Sequence, residues 1–430
     1  MWDNHGILYT LFNSIILKIF KPEVGVPALI LERYANLALL VIGFYILHEM
    51  FYLLSSKFYF ASFGAWFFSL SSLSTKAIEI RPDNLQCLFL YASLFALVKS
   101  FNIGSSQLSF WAGILISLML MTNLKSLIVF GAIIVALAIS RQKKDLVRVT
   151  LGAGFGLTCA GIILNGFGIL DDYLKYNWFF NLLTVNKYAN PNNIDLISNF
   201  LLEDHYLISF LLLVIVNFLL FNKKSYSNPP LTIILSIIGF AVFNRIGVYV
   251  YRLQYDLIYF PLACFLASYI FFITFKSRKI FILAIVIILG LMTFAAYEKF
   301  SFTESLKSNH QEYLTVSQKR FLDINRYLNK NEYLDYYTVD NCPGFGFRKD
   351  SEHLFFKYRN SMLSLEELEQ KEIFGASYID RLESKKVRVI IGTPEGIRQN
   401  PHLIAQDYIF KNYKYYNCIW ERVTPFTKLR

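Results

Sequence analysis

The sequence predicts a polytopic α-helical membrane protein of about ten transmembrane helices, followed by a C-terminal α/β domain on the outer side of the membrane. Three observations predict it. Of the 430 residues 55% are hydrophobic and only 17% are charged, below the roughly 25% of a soluble domain. The apolar residues fall in runs near the roughly 20 residues that cross a bilayer, a length that shortens where neighbours cover the ends. After Tyr297 the long runs give way to short strand-like and helix-like segments in alternation.

The expected spans are Val26–Leu54, Phe58–Ile80, Asn84–Phe101, Leu108–Asn123, Ser126–Ser140, Leu146–Ile169, Tyr206–Phe221, Pro230–Asn244, Leu257–Phe275 and Ile280–Tyr297. Gly6–Phe20 is apolar but short and ends in Lys18 and Lys21, which suits a helix lying in the membrane interface. The short basic loops Arg141–Lys144, Asn222–Lys224 and Lys276–Lys279 fall on one side of these spans. That side is the cytoplasm, because Lys and Arg are retained there. The N-terminal stretch and everything after Tyr297 then lie outside. An exported N-terminus without a signal segment at Met1–His5 leads to the expectation of a further apolar helix upstream.

A net charge of +11 would suggest nucleic acid in a soluble chain. Here the cations sit mostly in the short loops, where orientation in the bilayer accounts for them, and a nucleic-acid partner is discarded.

Two longer stretches emerge on the outer side. Leu170–His205 carries Asp171-Asp172-Tyr173, Trp178 and the turn Asn190–Asn193, and reads as a structured loop. Residues 301–430 form a domain distinct from 1–300. Strands are expected at Leu334–Val339, His353–Tyr358, Val387–Ile391 and Tyr413–Val423, and helices at Val316–Asn329, Leu363–Phe374 and Pro401–Asn412. Such alternation implies a small α/β module. It contains no phosphate loop, metal-ligand spacing or nucleophile elbow, so the chemistry is expected in the membrane part. Cys87, Cys159 and Cys264 lie in apolar runs as packing residues. Cys342 and Cys418 share the outer module, where a disulfide can form.

Arg33, Arg81, Lys125, Arg245 and Arg252 stand at the outer ends of spans, where retention of cations in the cytoplasm gives no reason for them. Each alone fits a snorkelling side chain. Together they favour an anionic ligand at the membrane surface, and a lipid-linked phosphate has its charge at that depth. His5 either positions such a phosphate or is simply exposed. Asp3, Glu79 and Asp83 accompany the cations. Asp83 is read either as a helix N-cap or as a catalytic carboxylate, and Glu79 either as a partner of Lys76 or Arg81 or as a site residue. A carboxylate beside a phosphate-activated sugar serves as general base or ligates a divalent metal, and the residues leave the two open.

Five segments occur in a telling order: Asp3–Tyr9, Glu32-Arg33-Tyr34, Arg81-Pro82-Asp83, Asn123–Lys125, and Arg245 through Pro261 with Tyr251-Arg252 and Tyr259-Phe260. Over about residues 1–300 this order resembles the membrane glycosyltransferases of the GT-C fold, in the bacterial branch similar to protein O-mannosyltransferases and aminoarabinose transferases. The resemblance implies transfer of a sugar from a polyprenyl-phosphate donor to an envelope glycan, lipid or protein acceptor on the outer face of the cytoplasmic (inner) membrane. Asp3, Asp83 and Glu79 are its catalytic candidates; His5, Arg33, Arg81, Lys125, Arg245 and Arg252 are its candidates for the donor phosphate. The sequence departs from the family in two places. The family's first helix ends in an acidic pair that supplies the catalytic carboxylate, and no such helix precedes Asp3; the family's Lys is replaced by Asn4-His5. Either the helix lies upstream of Met1 or the chain is an inactive relative. The alternatives are a non-catalytic membrane interaction protein and a polysaccharide transporter or flippase. A transporter would need charges at the midplane of broken helices, whereas these cluster at one surface.

Overall fold

The computed structural model describes residues 7–22, 26–55, 58–71, 73–77, 81–123, 126–174, 178, 228–247, 257–274, 287, 290 and 294 of the first three hundred. Beyond them it describes 318–320, 322–324, 326–327, 336–338, 352–353, 383, 387–398, 403–416 and 418–425.

Helices dominate the first part. They are α1 (Ile7–Phe20), α2 (Val26–Ser55), α3 (Phe58–Leu70), α4 (Leu73–Lys76), α5 (Asp83–Ile103), α6 (Ser106–Thr122), α7 (Ser126–Ile139), α8 (Lys143–Gly166), α9 (Leu170–Tyr173), α10 (Pro229–Gly247) and α11 (Phe260–Thr274). Among the described residues three helical segments are long and apolar enough to cross a membrane: Ile30–Leu54, Asp83–Ile103 and Lys143–Gly166. Shorter apolar helices stand at Ile7–Phe20, Ser106–Thr122, Ser126–Ile139, Pro229–Phe240 and Phe260–Ile270. The expected span Tyr206–Phe221 lies outside the described residues, and of Ile280–Tyr297 only three separate positions are described. Phe58–Ile80 is not one helix, because α3 ends at Leu70. The hydroxyls of Ser69, Ser71 and Ser74 donate to the carbonyls of Trp66, Phe68 and Ser71 at 2.7 to 2.8 Å. Serines that bond nearby carbonyls in this way compete with the regular helical ladder.

The helices pack in register. Asn84 of α5 reaches Asn36 of α2, and Tyr91 lies against Gly43, so α2 and α5 run parallel. The α2 residues Asn36, Leu39, Gly43, Leu47 and Met50 are buried at the three- and four-residue spacing of one helix face. Phe44 and Phe51 pack on Phe265 of α11 with ring centroids 5.8 and 5.9 Å apart. Helices α6 and α8 approach until their backbones touch. A Cβ on Gly113 would stand 2.7 Å from the Ala153 nitrogen, and one on Gly152 would strike the Phe110 carbonyl. Close approach through small residues is how helices associate where lipid removes the hydrophobic driving force.

Antiparallel packing of α5 on α6 depends on the tight turn at Gly104, whose φ of +68° is easy only for glycine. At that end Ser100 and Ser109 hydroxyls lie 2.8 Å apart, and both donate to Asp145 at the start of α8. The basic turn Arg141–Lys144 shares this end. The starts of α2, α5, α7 and α11 and the finish of α6 gather at the other.

The C-terminal part is a five-stranded mixed sheet of order β2-β1-β3-β5-β4. Its strands are β1 (Tyr336–Thr338), β2 (Glu352–His353), β3 (Val389–Ile391), β4 (Tyr413–Tyr416) and β5 (Ile419–Arg422), with α12 (Pro394–Arg398) and α13 (Leu403–Asn412) between β3 and β4. Strand β1 is parallel to β2 and β3, and β5 is antiparallel to β3 and β4. Val389, Ile390 and Ile391 are all buried, as in a central strand covered on both faces. Ile390 and Trp420 pack with Ile397 and Ile409 from α12 and α13; Val389, Ile391 and Ile419 pack with Ile324. The expected strand Tyr413–Val423 is instead a hairpin of β4 and β5, because the chain reverses between Tyr416 and Ile419, where Cys418 has φ +70°. A two-residue hairpin loop favours positive φ. Helix α12 was not expected from sequence, and Leu363–Phe374 lies outside the described residues.

Candidate active site

The site is built at the end where α2, α5, α7 and α11 begin. Pro82 has φ −68° and stands as the N-cap of α5 without any side-chain cap bond. Proline suits a helix start because its φ is already helical and the missing N–H would go unused there. Asp83 opens α5, and its side chain does not cap the helix as one sequence reading expected. It turns back across Pro82 to meet Arg81, with Arg81 Nε 2.9 Å from Asp83 Oδ2. The Asp83 side chain is 1% exposed and that of Arg81 22%. Asp83 Oδ1 is buried and has no hydrogen-bond partner among the described residues. A buried carboxylate is costly without a charge partner. Arg81 supplies one to a single oxygen and leaves the other available.

A seam of buried amides holds this carboxylate in place. Asn84 Nδ2 donates to the Asn36 carbonyl at 3.2 Å and to the Ala77 carbonyl at 2.5 Å. Asn36 Nδ2 donates to the Tyr9 hydroxyl at 3.2 Å and to the Glu32 carbonyl at 2.8 Å. Gln86 Nε2 donates to Ser126 Oγ at 2.7 Å, and that hydroxyl donates to the Met119 carbonyl at 3.0 Å. The Cys87 thiol and the Tyr91 hydroxyl both donate to the Leu257 carbonyl, at 3.2 and 3.4 Å. Helices α1, α2, α6 and α7, together with Ala77 just after α4 and Leu257 just before α11, are thereby tied to the first turns of α5. Like Asp83 Oδ1, the side-chain oxygens Asn84 Oδ1 and Gln86 Oε1 are buried without a donor among the described residues. The seam spends its donors on the protein and keeps its acceptors, so a ligand that donates hydrogen bonds complements it.

Of the residues singled out from sequence, the structure brings Arg81 and Asp83 together. Arg33 lies on the exposed side of α2, and Arg245 falls near the end of α10, Pro229–Gly247. Asp3, His5, Glu79, Lys125, Arg252 and Cys342 lie outside the described residues. Cys418 is disulfide-bonded, while Cys87, Cys159 and Cys264 are in the thiol form. Among the described residues no three His, Cys, Asp or Glu side chains converge as a metal site would require. Glu32, Asn36, Asn84 and Gln86 were not picked out as site residues. Their signal was helical spacing: Glu32 and Asn36 continue the buried Leu39, Gly43 and Leu47 stripe, whereas Arg33 and Tyr34 point away from it.

A second polar cluster lies in the sheet. Arg422 Nη2 and Glu383 Oε1 are 2.7 Å apart with side chains 3% and 2% exposed. Arg422 Nη1 donates to the Tyr408 hydroxyl at 2.8 Å, and Tyr408 donates to Glu383. Burial, reinforced by the hydrogen bond to Glu383, pushes the Tyr408 phenol up to about 12. Burial lowers Arg422, but its bonds to Tyr408 and Glu383 outweigh that and raise it. Arg422 donates further to the carbonyls of Thr424 and Pro425, and a buried polar network bonded in this way rigidifies the fold around it.

No protein-family model matches the chain, and no curated protein does. Solved structures similar to it include the archaeal oligosaccharyltransferase AglB from Archaeoglobus fulgidus in complex with an inhibitory peptide and a dolichol-phosphate. The TM-score is 0.44 and the identity 12%, over 68% of this chain and 46% of that one. Another is an Archaeoglobus fulgidus oligosaccharyltransferase in complex with zinc and sulfate, at TM-score 0.42 and 12% identity, over 68% of this chain and 43% of that one. The match thus spans less than half the length of either enzyme.

Proposed function

We propose that the chain is a membrane glycosyltransferase of the GT-C kind, taking a sugar from a polyprenyl-phosphate donor and passing it to an envelope acceptor outside the cytoplasmic membrane. One observation carries the reading: a carboxylate with one oxygen paired to a partly exposed arginine and its other oxygen without a partner among the described residues, at the shared end of the helices. The order of sequence motifs that resembles the family leads to the same residues. In the reaction an acceptor hydroxyl oxygen bonds to the anomeric carbon as the bond from that carbon to the phosphate oxygen breaks. Asp83 takes the hydroxyl proton, and polyprenyl phosphate leaves with the bonding electron pair. Arg81 orients Asp83 and, with Arg33 at the same end, stabilises the charge that develops on the phosphate. Lys125, Arg245 and Arg252 are proposed to join them, Asp3, Glu79 and His5 to complete the site, and residues 301–430 to shape the acceptor side.

The test is transfer by the full chain in lipid nanodiscs, with polyprenyl-phosphate sugars radiolabelled in the sugar. Release of unlabelled polyprenyl phosphate is expected together with a labelled acceptor product. An Asp83→Asn chain that folds and transfers at the wild-type rate would overturn the assignment.

A further inference from the structure

Glu32 is a carboxylic acid inside one of the three segments long and apolar enough to span a membrane, Ile30–Leu54. It is 6% exposed, and among the described residues its carboxylate has no hydrogen bond or ion pair. An ionisable group in such a segment is expensive to bury and is retained where a ligand or partner meets it. It sits on the inward stripe of α2 one turn before Asn36. The Asn36 side chain is bonded to the Glu32 carbonyl, and the Asn36 carbonyl receives Asn84, the neighbour of Asp83. Glu32 and Asp83 therefore flank one amide pair at the same end of the bundle.

Among the described residues the charges at this point are the Glu32 and Asp83 carboxylates and the Arg81 guanidinium paired to Asp83, and the buried side-chain atoms left without a partner along the first turns of α5 are the acceptors Asp83 Oδ1, Asn84 Oδ1 and Gln86 Oε1. A phosphate is repelled from such a lining, because it too only accepts. A ring bearing several hydroxyl groups fits, because each hydroxyl donates. We infer that Glu32 and Asp83 flank the subsite for the transferred sugar ring, with the Glu32 carboxylate accepting hydrogen bonds from its hydroxyl groups. The donor phosphate then lies outward, toward Arg81 and Arg33. This inference rests on the glycosyltransferase reading above and adds to it a sugar contact that the motif order does not contain.

The experiment measures binding of farnesyl phosphate, bare or bearing glucose, galactose, mannose or arabinose, to the full chain in nanodiscs. Wild type is expected to bind at least one sugar-bearing lipid about tenfold more tightly than the bare lipid, the scale of a hydrogen bond to a charged group. Glu32→Gln removes most of that gain and leaves bare-lipid binding unchanged, and Glu32→Asp keeps part of it. Deoxy forms of the preferred sugar on the wild-type chain lose the same gain at one ring position, a readout independent of how any variant folds. Equal binding of bare and sugar-bearing lipids overturns the sugar subsite and leaves the donor reading intact. So does a Glu32→Gln chain that retains the gain, or one that weakens both lipids equally, or deoxy sugars that all bind like the parent. Wild type that binds none of these lipids overturns the donor reading itself.

Discussion

Arg81 and Asp83 form an ion pair across a single proline, with Nε and Oδ2 2.9 Å apart and Asp83 Oδ1 buried without a partner among the described residues. Replacing Asp83 by Asn keeps the shape and removes the proposed proton acceptor, so the proposed transfer is expected to fall about 10²- to 10⁴-fold with little change in melting temperature. Replacing Arg81 by Gln strands the buried carboxylate and lowers the melting temperature as well as the rate. Rate and melting measured together on both variants check this, and the opposite pattern would mean that the pair is structural.

Gly113 meets the Val149 carbonyl and the Ala153 nitrogen where α6 and α8 cross. Both are backbone atoms and cannot swing aside. Gly113→Ala is expected to destabilise the chain by about 1–3 kcal/mol, whereas Gly161→Ala, whose added Cβ would meet nothing within 4 Å, is expected to be close to neutral. Thermal unfolding of both in the same detergent tests the contrast.

In the sheet, removing one partner of the Arg422 and Glu383 pair leaves a buried charge unmatched. Arg422→Leu or Glu383→Leu alone is expected to cost about 3–5 kcal/mol, and the double substitution far less than the sum. Hydrogen exchange at the amides of β3 and β5 reads the cycle; additive losses would show that the two groups do not act as a pair.

Tyr408 gives the sheet a defined alkaline limit. Burial holds its phenol neutral up to about 12, against roughly 10 in an unfolded chain. Its contribution is therefore complete below pH 10 and is lost as pH rises toward about 12. Exchange protection of β5 is expected to fall across that window, and Tyr408→Phe to flatten the fall. An unchanged slope in the variant would assign the transition to another group.

Cys418 is disulfide-bonded, and Cys342 is the partner proposed from sequence. Non-reducing peptide mapping should recover the linked pair. Closing a loop of that size contributes roughly 4 kcal/mol by restricting the unfolded chain, so dithiothreitol is expected to lower the unfolding temperature of the sheet. A mapped link between Cys418 and any other cysteine would refute the pairing.

Composition and apolar run length by themselves determined that the first part is a set of membrane-competent helices, because a segment that must satisfy its own backbone in lipid needs little beyond length and hydropathy to be recognised. They also located Arg81-Pro82-Asp83, since a proline between opposite charges at the head of an apolar run is a local signal. Sequence was poorer where local signals conflict. Ser69 and Ser71, around the end of α3 at Leu70, bond nearby carbonyls through their side chains, and Cys418 turned an expected strand into a hairpin through a positive φ. Only the tertiary structure decided which polar residues share the site. Asn84 meets Asn36 across 48 positions of chain and Gln86 meets Ser126 across 40, and no spacing along one helix encodes a partner on another. Only packing showed that Glu32 is buried on the side of α2 that meets α5 while its neighbour Arg33 is exposed: the stripe that buries Leu39, Gly43 and Leu47 carries Glu32 on the same side of α2.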